Sequence, residues 1–250
     1  MHVSRRCLLA VTSLAIASGI AGSARSAGGS IRAIAFDGFA IFDPRPIAAL
    51  TEELFPGRGA QLSNVWRAKQ FEYAWLRTAT GRYREFPGVI ADALDFACGS
   101  LDIDLTNAGR DALVESYLKM PAWPDVVPSL SRLKEKGIRL ALLSNFSSAM
   151  LAANARNAEL EALFEFQLST DAVRVYKPHP RTYQMGLDAF GLKREDILFV
   201  AFAGWDASGA KLFGYPTFWL NRQRQLREQL DAVPDGEGQG MTDLIWFALS

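Results

Sequence analysis

From Ile138 to Leu220 the chain alternates short apolar runs with amphipathic stretches, and few folds accept that pattern. Ile138-Arg139-Leu140-Ala141-Leu142-Leu143, entered through Gly137, reads as a buried strand. Phe164 to Leu168, Ile197-Leu198-Phe199-Val200 and Thr217-Phe218-Trp219-Leu220 read as three more. Between and before them, Val126 to Lys136, Ser148 to Ala158, Pro180 to Phe190 and Ala207 to Phe213 are helical in pattern, with Gly137, Gly191 and Gly214 placed as helix ends. Repetition of strand and helix predicts a parallel sheet with helices on both faces. An earlier run, Ile31-Arg32-Ala33-Ile34-Ala35-Phe36, supplies another strand. It closes on Asp37 and opens the turn Gly38-Phe39-Ala40. Ligands bind such sheets at the carboxyl ends of their strands, so Asp37 is placed where a nucleophile would serve.

The stretch from Pro46 to Met120 breaks this rhythm and holds no convincing buried strand. Leu62 to Thr78 has Val65, Trp66, Tyr73 and Leu76 at helical spacing, and Ile90 to Ala97 and Ala108 to Tyr117 share that period. A helical block after the first strand predicts a cap over the catalytic edge. The expected architecture is α/β, a Rossmann-like parallel core from 28 to 44 and 121 to 250, with a helical cap from 45 to 120. Pro121 to Pro128 is the expected return crossing. Asp235 to Gly240, with three glycines, reads as a flexible surface loop before a short final helix.

With 250 residues, 49% of them hydrophobic, and zero net charge, the chain has the composition of a core-forming globular protein. No basic stripe points to nucleic acid. Residues 1–27 have the layout of a signal peptide: a basic start with Arg5-Arg6, an apolar stretch from Leu8 to Ala21, and small residues from Ala24 to Ala27. Ser4-Arg5-Arg6-Cys7-Leu8-Leu9 resembles the twin-arginine signal, which implies export to the periplasm. The apolar stretch falls short of the ~20 residues that span a bilayer, so no stable membrane insertion is expected after cleavage. Cys7 lies in the signal and leaves Cys98 alone, which excludes a disulfide or a thiolate metal cluster in the mature chain. Cys98 beside Phe96 and Ala97 reads as a small buried hydrophobe. His179, between two prolines, is a poor member for a Ser-His-Asp triad.

Four short motifs then fall in order: Asp37 after the first strand, Ser144-Asn145 after the next, Tyr176-Lys177-Pro178 in a loop, and Gly204-Trp205-Asp206 after a later strand. Together they resemble the haloacid dehalogenase superfamily. Phe55-Pro56-Gly57-Arg58-Gly59, Trp66-Arg67-Ala68-Lys69-Gln70, Glu72-Tyr73, Trp75-Leu76-Arg77 and Val175-Tyr176-Lys177-Pro178 resemble its type II (S)-2-haloacid dehalogenases. The resemblance implies that Asp37 displaces halide from a 2-haloalkanoate and that water cleaves the resulting aspartyl ester. Lys177 and Asp206 match positions that keep Asp37 ionised and orient that water. Arg67 matches the residue that receives the halide. Ser144 and Asn145 match the groups that grip the substrate carboxylate. Phe71, Phe86 and Trp205 match the apolar wall, and Tyr183 a tyrosine supporting the polar network of the binding site. Phosphatases of the superfamily carry an acid two residues after the nucleophile; here that residue is Phe39, which fits a leaving group that needs no proton. No cofactor and no metal, magnesium included, is expected, since no phosphate charge must be neutralised. The resemblance also implies a homodimer through the cap.

The residues depart from the family pattern at two motifs. Phe39-Ala40-Ile41-Phe42 before Asp43 replaces an aromatic, Gly, Thr and Leu, one residue short, and Ala201-Phe202-Ala203 replaces Ser-Ser-Asn. A threonine, a serine and an asparagine are thereby lost, and one positioned donor is worth ~10²–10³ in rate. Two other readings therefore stay open: a weakened relative that binds a small carboxylate or a protein partner, and a hydrolase of another substrate such as a phosphate ester. Residue by residue, Asp37 reads alternatively as a turn former, Ser144-Asn145 and Asp206 as helix caps, Arg67 as a partner of Glu72, and Trp66 and Tyr73 as core or interface.

Overall fold

The computed structural model describes residues 31–250; the signal-peptide reading and residues 28–30 lie outside them. Among the described residues, six parallel strands form one sheet in the order β3-β2-β1-β4-β5-β6. They are β1 (Ala33–Phe36), β2 (Arg139–Ser144), β3 (Phe166–Ser169), β4 (Ile197–Ala201), β5 (Thr217–Leu220) and β6 (Gly236–Gly238). Side chains alternate between the two faces of each strand. Ile34, Phe36, Leu140, Leu142, Leu198, Val200, Phe218 and Leu220 enter one core. Ala33, Ala35, Ala141, Leu143, Ile197, Phe199, Ala201 and Trp219 enter the other. Burial on both faces is why these runs are continuously apolar rather than alternating.

Helices α6 (Val126–Glu135), α7 (Ser148–Asn157), α8 (Pro180–Phe190), α9 (Gly204–Phe213) and α10 (Met241–Leu249) connect and flank the sheet. The helix expected to start at Ala207 starts three residues earlier, so Asp206 lies in its first turn. The expected flexible loop from Asp235 is corrected: Gly236–Gly238 pairs with β5 as an edge strand. Its own side chains gave no apolar signal, and it is held through the backbone and through Asp243, which accepts from Gln239 N and Gly240 N.

Between β1 and β2 run a single helical turn, α1 (Gly38–Ile41), and then α2 (Arg45–Leu54), α3 (Gly59–Ala79), α4 (Phe86–Ser100) and α5 (Asn107–Ser116). Helix α2 lies outside the three segments of the cap read as helical, and it carries Pro46 near its start. The proline sits in the first turn, where a missing N–H costs nothing. Trp66 is core, as one of its readings has it: its Nε1 donates to Ile90 O at 2.8 Å and its ring meets Tyr117 edge-on. Cys98 is buried and unbonded to another cysteine. The outgoing and returning chains lie side by side, joined by the Phe42–Ala122 bridge, Asp43 N to Pro121 O at 2.8 Å and Trp123 N to Ile41 O at 3.0 Å. Both crossings sit beside the carboxyl end of β1, so helices α2–α5 stand over that edge.

Candidate active site

Strand β1 is the centre of the sheet, with β2 on one side and β4 on the other, so the chain order reverses there and leaves a crevice at the carboxyl ends. Asp37 is the first residue past β1. Its N–H donates to Val200 O at 2.9 Å, extending the ladder by one bond and fixing the residue at the edge. Its side chain caps α1, with Oδ2 accepting from Phe39 N at 3.1 Å. Gly38 has to be glycine: a Cβ there would lie 2.7 Å from Ser144 Oγ and 2.8 Å from the Phe146 ring.

Lys177 reaches the same point from the loop before α8. Its Nζ donates to Asp37 Oδ1 at 2.9 Å and to Asp206 Oδ2 at 2.8 Å, and the lysine is fully buried. Burial pushes the ammonium toward neutrality, but attraction to Asp206 and Asp37 outweighs it and leaves Lys177 raised, hence charged. Burial pushes the Asp206 carboxyl up to about 6 against the pull of Lys177. Tyr183 donates its hydroxyl to Asp206 Oδ1 at 2.7 Å; burial and then the Asp206 charge hold the phenol well above its ordinary value, so it stays a donor. Gly209 makes room for this packing, since a Cβ would come within 2.6 Å of both Pro178 and the Tyr183 hydroxyl.

Above the ion cluster lies a cavity of about 460 Å³. Asp37, Asp206, Ser144, Asn145, Phe71, Phe86, Trp205 and Arg67 all line it. Lys177 sits beneath its floor. Tyr183 corrects its grouping with the binding residues: it lies one layer back, behind Asp206, and meets no part of the cavity surface. Ser144 Oγ accepts from Phe146 N at 3.1 Å, which leaves its O–H as a donor. Asn145 Oδ1 accepts from Lys177 N at 2.9 Å, so its amide hydrogens are what it can offer an anion. The helix-cap reading of this pair falls to Ser147, whose Oγ caps α7 at Met150 N. Arg67 and Phe71, one turn apart on α3, both face the cavity. Arg67 is solvent-exposed at the mouth, where Nη1 meets Gln223 Oε1 at 3.5 Å. Glu72, its other possible partner, bonds Lys69 instead. Tyr73 is half-buried, edge-on to Phe96.

The walls contain more aromatic surface than the sequence indicated. Phe39 packs edge-on to Phe146 with centroids 4.8 Å apart, and Phe202 and Tyr117 also line the space. Gln225, on the loop after β5, reaches the mouth. Only tertiary structure joins these residues, although Phe202 sits inside one of the four motifs. Of the three alanines at the altered positions, Ala203 lines the cavity, whereas Ala40 and Ala201 are buried. Among the described residues, no group of His, Cys, Asp or Glu has the arrangement of a metal site.

A carboxylate on the central strand, clamped by a buried ammonium under a helical insertion, defines a hydrolase of the haloacid dehalogenase-like type. Residues 45–214 match the family of haloacid dehalogenase-like hydrolases, and the chain belongs to it. Within that family it is similar to 2-haloacid dehalogenases. It is 42% identical over 208 residues to the (S)-2-haloacid dehalogenase of Pseudomonas sp. (strain YL), covering 83% of this chain and 90% of the relative. It is 41% identical over 206 residues to haloacetate dehalogenase H-2 of Moraxella sp. (strain B), covering 82% and 92%. The fold superposes on the crystal structure of L-2-haloacid dehalogenase RSc1362 with a TM-score of 0.87 at 40% identity, covering 89% of this chain and all (100%) of that one. It superposes on the Xanthobacter autotrophicus L-2-haloacid dehalogenase with chloropropionic acid covalently bound with a TM-score of 0.82 at 31% identity, covering 88% and 99%.

Proposed function

We propose that this protein hydrolyses short (S)-2-haloacids to (R)-2-hydroxyacids through an aspartyl ester on Asp37. The observation that carries the reading is the placement of Lys177 Nζ at 2.9 Å from Asp37 and 2.8 Å from Asp206 on the floor of an aromatic cavity. An Asp37 carboxylate oxygen attacks C2 from the side opposite the halogen. The C–O bond forms as the carbon–halogen bond breaks, C2 inverts, and the halide departs with the bonding pair. Aromatic walls line the cavity, and Arg67 at its mouth receives the departing anion. Ser144 O–H and the Asn145 amide supply donors for the substrate carboxylate.

Either Asp37 oxygen serves, because each already has a donor: Lys177 Nζ on Oδ1 and Phe39 N on Oδ2. When one oxygen becomes the ester oxygen, the other is the carbonyl, and its donor stabilises the negative charge that develops as water adds. Asp206 accepts a proton from that water. As the C–O bond between the aspartyl carbonyl and the hydroxyacid breaks, the proton held by Asp206 passes to the leaving oxygen, and the Asp37 carboxyl gives the second water proton to solvent, which regenerates the carboxylate and releases the 2-hydroxyacid. The residue two places after the nucleophile presents an aromatic ring rather than an acid, which supports a halide as leaving group over an alcohol of a phosphate ester.

Export through the segment 1–27 and a homodimer built on the cap belong to the same proposal. Their support is the basic and apolar amino-terminal pattern and the resemblance to the type II enzymes. No helix of the described residues is long and apolar enough to cross a membrane.

Chloride release from (S)-2-chloropropionate tests the reaction. The wild type is expected to release chloride and form (R)-lactate, and Asp37→Asn to do so at least ~10⁴-fold more slowly. Equal rates for the two proteins at high concentration overturn the reading for this substrate.

A further inference from the structure

Lys177 is gripped on both sides of its own backbone. Its N–H donates to Asn145 Oδ1 at 2.9 Å, a contact made at the sheet edge. Its carbonyl accepts from Trp75 Nε1 at 3.2 Å, and Trp75 belongs to α3. One residue earlier, Tyr176 N donates to Thr78 Oγ1 at 2.9 Å, again on α3. The Tyr176 hydroxyl donates to Arg84 O, and the Tyr83 hydroxyl donates to Asp171, so the segment before α4 holds the same loop. The loop that delivers the catalytic ammonium is thus fastened to the helical insertion at four points.

Trp75 touches neither the reacting atoms nor the cavity. It stands behind the wall, its ring centroid 6.3 Å from that of Phe71 and 5.5 Å from that of Trp205. At 40% exposure it is not a core anchor, so its indole N–H can be removed without emptying a buried site. Around the lysine side chain, Asp37 comes from the end of β1, Asp206 from α9, Tyr183 from α8 through Asp206, and the Phe199 ring from β4 at 4.9 Å. Among the described residues, the ion pairs of both carboxylates run to this ammonium. A shift of the Lys177 backbone therefore alters both pairs together.

We propose that Trp75 is a positioning residue: by holding the Lys177 carbonyl it makes the charge of the Asp37–Lys177–Asp206 cluster depend on how α3 is seated. The kinetic consequence rests on Asp37 acting as the nucleophile; the electrostatic consequence does not. When the ammonium is drawn back, Asp206 loses attraction and takes up its proton at higher pH.

The test compares full-chain wild type, Trp75→Phe, Thr78→Val and Thr78→Ser. Trp75→Phe keeps an aromatic ring against Phe71 and Trp205 but lacks the N–H. Carboxyl carbon NMR on aspartate-labelled protein reads the titration of the cluster with no substrate present. Trp75→Phe is expected to move that titration upward by roughly half a pH unit or more. Thr78→Val, which removes the acceptor of Tyr176 N, moves it the same way, and Thr78→Ser stays with the wild type. In chloride release, kcat for Trp75→Phe falls about 10-fold while KM stays within about twofold. Titrations of Trp75→Phe and Thr78→Val that superimpose on the wild type overturn the proposal. If the wild type releases no chloride, the proposed reaction fails, yet the titrations still decide the role of Trp75.

Discussion

Lys177→Met is expected to stop turnover and to lower the midpoint of thermal unfolding by roughly 6–20 °C. Methionine has a similar length and no charge, so the change isolates the ammonium. Asp37 and Asp206 would be left buried beside each other without a cation, and breaking a buried pair by removing one partner costs about 3–5 kcal/mol. For a chain of this size each kcal/mol is worth about 2–4 °C. The loss should depend on pH in a definite direction. Burial already raises Asp206 above its ordinary 3.8, to about 6. Without the pull of Lys177 the Asp206 carboxyl rises further. A raised carboxyl contributes stability at low pH that disappears as pH rises through its folded value. The variant's deficit therefore opens as pH rises from about 6 toward the higher value of the variant's Asp206, and it shrinks as pH falls below about 6. Differential scanning calorimetry of both proteins across that range reads it. A deficit that does not change with pH would place the cost in packing rather than in charge.

Asp206→Asn is expected to separate the two halves of the reaction. Lys177 keeps its bond to Asp37, so the displacement step survives, but the base for the attacking water is gone. Loss of a positioned general base typically costs ~10²–10⁴ in rate. The aspartyl ester should then accumulate to nearly one per chain after mixing with (S)-2-chloropropionate, seen as an acyl mass increase on the peptide that contains Asp37. Wild type should move the same way in acid, since Asp206 takes its proton as pH falls through about 6. A variant that neither turns over nor accumulates ester would assign Asp206 to the displacement step instead.

The parts of the fold that were legible are those where burial dictates composition. Leu140 and Leu142 on one face and Ala141 and Leu143 on the other leave no polar position between Arg139 and Ser144 in β2, and β4 is apolar throughout. The same reading passed over Gly236–Gly238, because an edge strand of three residues held by backbone bonds needs no apolar side chain. At the site, Asp37, Lys177 and Asp206 were legible through the order of short motifs, and the structure brings both carboxylates within hydrogen-bonding distance of the Lys177 ammonium. The second layer was not. Trp75, Thr78 and Tyr83 act on the loop from Asp171 to Lys177 across a sequence separation of about a hundred residues, and no local pattern encodes that contact. Tyr183 shows the converse: its motif position was informative, while its depth behind Asp206 followed only from packing.

The account stands on Asp37 forming a covalent bond with the substrate, and a single turnover in heavy-oxygen water tests that most directly. With enzyme in excess over (S)-2-chloropropionate, water attacks the aspartyl carbonyl, so the heavy oxygen should enter the Asp37 carboxylate and the lactate should carry ordinary oxygen. Heavy oxygen found in the lactate, with the Asp37 peptide unchanged in mass, would mean that water attacks C2 itself and would contradict the account.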